Sequence, residues 1–239
     1  MVVTDLGWRP QATLVAGFFE EALGSAASDV FVHGSAALGG WNSSSDLDML
    51  ITSKVPDREW VIIRRRLLSE LATGPSVELS VASAASAAAP EPPWPFLLHV
   101  NQATGRVVAD GGQGDLDLVL HYLVTRHSGL AITGRAVDAA IGVVQRADVL
   151  THLRDELTWA MEEADQRYAV LNACRALAYS RNGFVLSKID GGAWALKHGI
   201  AIAIVESTMA AHVGGRDLGR PTPEARSFVE WRKGELEAS

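Results

Sequence analysis

The amino-acid sequence predicts an α+β chain: a small mixed sheet with helices over residues 1–112, then an α-helical bundle over residues 113–239. Three observations lead there. Apolar residues alternate with period two in short runs confined to the first half, around 30–32, 47–51 and 76–82, as in half-buried strands. From Asp115 onward they recur at spacings of three and four, as on helix faces. Between the two regimes stands Gly111-Gly112-Gln113-Gly114, which breaks either pattern.

Taken in order, Gln11 to Leu23 carries Leu14, Val15, Phe18, Phe19 and Ala22 at helical spacing and stops at Gly24. Val30 to Ile51 reads as strand, tight Gly34-Ser35 turn, short helical segment, polar loop and second strand. Asp57 suits the N-cap of a helix over Arg58 to Ala72, ended near Gly74-Pro75. Ser76 to Ala82 is a third strand. Ala82 to Pro95, with Pro90, Pro92, Pro93 and Pro95, is expected to be a loop or extended crossing. Leu97 to Asp110 supplies a further short strand or hairpin, with Thr104-Gly105 as its turn. Helices follow over 115–128, 147–163, 166–179, 188–204 (interrupted or capped around Gly191-Gly192) and 221–236.

Charge and composition exclude several function classes. Lys and Arg number 21 against 28 Asp and Glu, a net charge of -7. The one basic run, Arg64-Arg65-Arg66, lies in a helical pattern as a solvated face. A polyanion partner needs a clustered basic surface, so a nucleic-acid substrate is not expected and a cationic one is. The single cysteine, Cys174, allows no internal disulfide and sits in an apolar helical pattern as a core residue. No basic segment followed by a long apolar run opens the chain, and no uncharged apolar run approaches the roughly 18 residues of a membrane span. A cytoplasmic monomer is expected.

The chemistry concentrates between Val30 and Ile51. Asp46 and Asp48 are two apart, so period-two alternation turns both carboxylates to one face, with Leu47 and Met49 on the other. Two carboxylates aimed at one point repel unless a cation lies between them. Mg²⁺ meets that need with a few carboxylates plus phosphate oxygens. Gly34 and Ser35 open a helical turn whose backbone N–H groups and hydroxyl suit a phosphate. On the third strand, Glu78 alternates out from Val77, Leu79 and Val81. If that face is shared, Glu78 is a third carboxylate, able to bind metal or act as general base.

Gly-Ser, a spacer of about ten residues and Asp-x-Asp together resemble the polymerase-β-like nucleotidyltransferase superfamily. A second stretch narrows the resemblance. Asp165-x-Arg-x-x-Val-Leu-x-x-x-Arg175, then Tyr179, Gly183, Lys188 and Ala193-Trp194-Ala195, looks like the helical domain of aminoglycoside adenylyltransferases, closest to the streptomycin/spectinomycin 3''/9 branch. Gly39-Gly40, Val77-Glu78, Asp115-x-Asp117-Leu118 and Gly134 also match. The resemblance implies an N-terminal polymerase-β-like nucleotidyltransferase domain, a C-terminal α-helical bundle, and Mg²⁺-dependent transfer of AMP from ATP to a hydroxyl of spectinomycin or streptomycin.

It also implies roles residue by residue. Asp46 and Asp48, with Glu78, would hold Mg²⁺, and Glu78 would take the proton of the accepting hydroxyl. Gly34, Ser35, Ser45, Arg175 and Lys188 would contact the triphosphate. Trp159, Glu162, Glu163 and Asp165 would read the cationic substrate, although the stretch after Trp159 is shorter than in the streptomycin-modifying branch and lacks its proline-containing insertion. Transfer to a protein or another polyol, or an antitoxin-like binding role on the same fold, are the alternatives.

Overall fold

The computed structural model describes residues 7–24, 28–42, 45–55, 59–71, 73–111 and 113–237. The expected cap Asp57 and the expected boundary residue Gly112 lie outside them. The chain divides into two compact units, Met1–Val144 and Gln145–Ser239.

The first unit is built on one sheet. Helix α1 (Arg9–Leu23) opens with Pro10 in its first turn, where a missing N–H costs no hydrogen bond. Strand β1 (Ser28–Val32), the short α2 (Gly34–Ala37) and β2 (Leu47–Ser53) follow. Helix α3 (Trp60–Glu70) carries the chain across to β3 (Val77–Ser83), and such a crossover is what allows β2 and β3 to pair in parallel. After α4 (Ala84–Ala88), β4 (Phe96–Asn101) and β5 (Arg106–Gly111) form a hairpin that turns at Gly105, φ 69°. Then come α5 (Leu118–Ser128), β6 (Leu130–Thr133) and α6 (Val137–Ala140). The strands order β5-β4-β3-β2-β1-β6, with β2 and β3 the parallel pair.

One sheet face carries Val30, Leu47, Met49, Ile51, Val77, Leu79, Val81, Leu98 and Val100, packed with Phe18 and Phe19 of α1 and Ile63 and Leu67 of α3. Alternation therefore sends Asp48 and Glu78 to the opposite face, as the sequence pattern requires.

Three local expectations are corrected. The Ala- and Pro-rich crossing contains α4, which Ser83 caps by accepting a bond from the Ser86 N–H at 3.0 Å. Residues 130–133 form β6, paired antiparallel to β1, so the first unit extends to Val144 and residue 112 falls within it. An exposed four-residue strand carries too short an alternation to be read in advance.

The third correction concerns the helix expected over 188–204. It is two helices, α9 (Lys188–Lys197) and α10 (Ile202–Val213). The break falls at Gly199, φ 67°, and Ala201, φ 43°, while Gly191 and Gly192 lie inside α9. Those glycines serve close packing: a Cβ at Gly191 would stand 2.7 Å from Cγ of Arg175, and one at Gly192 2.5 Å from the Met209 sulfur.

The second unit is helical: α7 (Arg146–Glu163), α8 (Gln166–Asn182), α9, α10 and α11 (Pro223–Glu237). The central α8 buries Leu171, Ala173, Cys174 and Leu177 and packs against the other four. It starts at an Asp165 cap and ends at Gly183, left-handed at φ 70°. Burial pushes the Cys174 thiol up to about 12, so it is a core residue and not a nucleophile. Among the described residues no helix is long and apolar enough to cross a membrane.

The first unit contains a buried ion pair. Asp29, 1% exposed, takes Arg135 Nη2 at 2.7 Å, the Arg135 backbone N–H at 2.9 Å and the Thr52 hydroxyl. Burial raises the Asp29 pKa, but the bonds from Arg135 and Thr52 outweigh it, and the net shift is downward from 3.8. Replacing Arg135 by Met strands this carboxylate. We expect a loss of about 3 kcal/mol in urea unfolding at pH 7, at the low end for a buried pair because the guanidinium is partly in water. The pair's contribution should persist above pH 3.8 and vanish as pH falls through the lowered pKa.

Candidate active site

In the parallel register Asp48 lies directly opposite Glu78, with Leu47 opposite Val77 and Met49 opposite Leu79. Neighbouring strands run about 4.8 Å apart, so the two carboxylates leave the sheet side by side. Asp46 stands immediately before β2 and adds to the field at Glu78. Burial pushes the Glu78 pKa up. A hydrogen bond from Asn101, its cross-strand neighbour, and the nearby His99 offset part of this, while Asp117 and Asp46 add to it. The net shift is upward from 4.5. A carboxylate so raised is a better proton acceptor than an exposed one.

The residues expected to cradle phosphate begin beside this pair. The His33 N–H donates to the Asp48 carbonyl at 3.0 Å, which ties the turn to β2. Gly34 follows with φ 60°, and a Cβ there would lie 1.7 Å from Asp48 Oδ2. Only glycine fits both the left-handed backbone and that approach. Ser35 is the next residue of α2, whose N-terminus carries no side-chain cap. Ser45 closes the polar loop: its hydroxyl accepts the Asn42 N–H at 3.2 Å, and its own N–H donates to the Asn42 carbonyl at 3.0 Å.

Among the described residues no three Asp, Glu, His or Cys side chains converge closely enough to hold a metal by themselves. Asp46, Asp48 and Glu78 thus do not form a closed three-carboxylate cage. The donor set fits Mg²⁺ in its other common mode, one or two carboxylates completed by substrate phosphates and water. Asp46 and Asp48 would supply those carboxylates.

In the second unit Arg175 donates from Nη1 to Asn172 Oδ1 and from Nε to the Leu186 carbonyl, both at 2.9 Å. Lys188, the first residue of α9, holds Nζ 4.8 Å above the Tyr168 ring. Trp159, 50% exposed, meets the same ring edge-on at 5.7 Å. Asp165 caps α8 through the Tyr168 N–H at 3.0 Å and pairs with Arg167 at 2.8 Å. Glu163 pairs with Arg220 at 3.6 Å on the exposed surface. Glu162 instead lines a hollow of about 550 Å³ with Met161, Arg226, Ser227, Glu230 and Trp231. The walls of that hollow include neither Trp159, Glu163 nor Asp165.

Sequence reasoning missed several neighbours of the carboxylates. Asn101 and His99 face Glu78 from β4, and Asp117 acts on it from the N-terminal end of α5. His33 is buried beside His121, ring centres 4.8 Å apart, and burial first, then His121, holds its pKa well below 6.5. Only Asp117 left a signal, in the Asp115-x-Asp117 repeat of the Asp46-x-Asp48 spacing.

The raised Glu78 pKa makes a stability prediction. A carboxylate whose folded pKa exceeds its unfolded value stabilises the fold while protonated and loses that contribution as pH rises. Glu78→Gln should therefore melt a few degrees above the parent protein at pH 8, and the difference should close below pH 4.5. Calorimetric melting across pH reads both.

Two family matches agree with this geometry. Residues 15–93 match the nucleotidyltransferase domain, and residues 141–220 match the aminoglycoside adenylyltransferase C-terminal domain. No curated protein sequence matches. Among solved structures the fold is similar to spectinomycin adenyltransferase AAD(9) from Enterococcus faecialis, crystallised with ATP and spectinomycin. The TM-score is 0.76 at 14% identity, over 95% of this chain and 98% of that one. An α+β nucleotidyltransferase domain followed by a helical domain of that kind makes the protein an enzyme of nucleotidyl transfer. The chain thus pairs a nucleotidyltransferase domain with a C-terminal domain of the aminoglycoside adenylyltransferase type.

Proposed function

We propose that the enzyme moves AMP from ATP to a hydroxyl of an aminocyclitol antibiotic, spectinomycin or streptomycin, and so confers resistance from the cytoplasm. The observation that carries the reading is the Asp48–Glu78 pair in register on adjoining parallel strands, with Gly34 against Asp48. It supplies a phosphate approach, metal carboxylates and a proton acceptor within one sheet end.

The reaction is an in-line displacement. The substrate oxygen attacks the α-phosphorus of ATP, the bond from that phosphorus to the β-phosphate oxygen breaks, and pyrophosphate leaves with the electron pair. The hydroxyl proton passes to Glu78, whose raised pKa suits the task. Asp46 and Asp48 would hold Mg²⁺, which would neutralise charge on the phosphate oxygens. Gly34, Ser35 and Ser45 present N–H and hydroxyl groups to the triphosphate, and Arg175 and Lys188 contribute cationic charge to it.

The chain's net charge of -7 favours a cationic acceptor over a polyanion. AAD(9), of the same fold, was crystallised with ATP and spectinomycin, which supports an aminocyclitol. Trp159 gives an exposed aromatic wall, and Glu162, Glu163 and Asp165 give negative charge, for the ammonium groups of such a substrate.

The test is pyrophosphate release from Mg·ATP with purified protein, run separately with spectinomycin and streptomycin. Release with at least one is expected, and release with neither overturns the reading. Glu78→Gln should lower kcat by 10²-fold or more, the usual order for a lost general base, with ATP binding nearly intact. Asp48→Asn should weaken Mg·ATP binding and turnover together, and an intact Asp48→Asn enzyme would remove that residue from the metal site.

A further inference from the structure

One carboxylate in the second unit is tied into the groups around both cations. On α8, residues 168, 172 and 175 recur at spacings of four and three and form one stripe. Glu156 of α7 faces that stripe. Its Oε1 accepts the Tyr168 hydroxyl at 2.6 Å and the Asn172 Nδ2 at 3.2 Å. The first distance is that of a charge-assisted bond.

The consequence for Asn172 is directional. Its side chain is buried, 3% exposed, and its amide has a donor end and an acceptor end. Glu156, acceptor-only when ionised, holds the NH₂ end. The oxygen is thereby turned to Arg175, whose Nη1 donates to it at 2.9 Å. With Glu156 gone, the amide is free to flip and set NH₂ against the guanidinium, donor on donor. Arg175 is also fixed at Nε by the Leu186 carbonyl and lies against Gly191, where a Cβ would stand 2.7 Å from its Cγ. The second branch runs through Tyr168. Glu156 pins the phenol, and the pinned ring carries Lys188 Nζ on its face at 4.8 Å and Trp159 at its edge.

We propose that Glu156 is a positioning residue that sets Arg175 through Asn172 and Lys188 through Tyr168, so that both cations meet the β- and γ-phosphates of the nucleotide in fixed orientation. This rests on the proposed function above, in which Arg175 and Lys188 bind the triphosphate. A carboxylate that merely tied α7 to α8 would lower stability without regard to the ligand.

The two are separated by calorimetric binding of Mg·ATP and of AMP to the full chain, since AMP lacks the outer phosphates. Glu156→Leu should weaken Mg·ATP about tenfold, the order of one or two lost charge-assisted bonds, and leave AMP unchanged. Glu156→Gln, which keeps an acceptor oxygen, should recover most of the loss. Asn172→Ala should reproduce the Arg175 branch alone, and it serves as the test if Glu156→Leu does not fold. Arg175→Met should weaken Mg·ATP as well, and Glu156→Leu on top of it should add less than its own single effect.

Unchanged ATP affinity in Glu156→Leu and Asn172→Ala, with a loss in Arg175→Met, overturns the relay and leaves the phosphate role of Arg175 standing. Equal losses of ATP and AMP in Glu156→Leu reduce Glu156 to a structural tie and overturn the proposal. Unchanged affinity in both Arg175→Met and Lys188→Met removes the reading on which the relay rests.

Discussion

The first unit depends on holding two carboxylates side by side in a sheet. The parallel pairing of β2 with β3 sets Asp48 beside Glu78, and Asp46 and Asp117 add charge of the same sign. Like charges at that spacing, half-withdrawn from water, work against folding. The opposite sheet face compensates. Leu47, Met49, Val77, Leu79 and their neighbours are sealed under α1 and α3, and a one-residue slip in either strand would send those apolar side chains to the carboxylate face. The register that the core demands is thus the register that brings the carboxylates together. Asn101 and His99 relieve part of the repulsion from β4.

Much of this was legible before any coordinates. Gly34-Ser35, Asp46-x-Asp48 and Glu78 lie within 45 residues of sequence, and period-two alternation places the carboxylates on a face without tertiary information. The helices α7, α8 and α11 were equally readable from their pattern, and Asp165 and Gly183 mark the ends of α8 in chemistry as well. The hidden parts share a cause: they depend on partners distant in the chain. Gly191 and Gly192 read as a helix break because glycine is a poor helix former, yet their missing side chains make room for Arg175 and Met209. Glu156 meets its partners only once α7 folds back on α8. Glu162 belongs with Trp231, nearly seventy residues away.

Asp165 has a structural place in α8 besides the role that the resemblance implies. As a sequence feature it reads as a cleft carboxylate by resemblance. In the structure its oxygens are already engaged by the Tyr168 N–H and by Arg167, which outweigh burial and lower its pKa. It stays charged over the whole physiological range, as an anchor for α8 with its charge shared by Arg167.

The late return of β6 to the sheet bears on how the protein can be divided. β6 covers the outer edge of β1, and it is reached only after the β4–β5 hairpin and α5. A fragment cut at residue 112 would keep Asp46, Asp48 and Glu78 and the turn at Gly34, though not Asp117. It would also leave β1 with a row of bare N–H and C=O groups. Such an edge is a template for pairing with another copy. A severed nucleotidyltransferase half would therefore be a self-associating species, and a usable one must run to Val144, where the first unit ends.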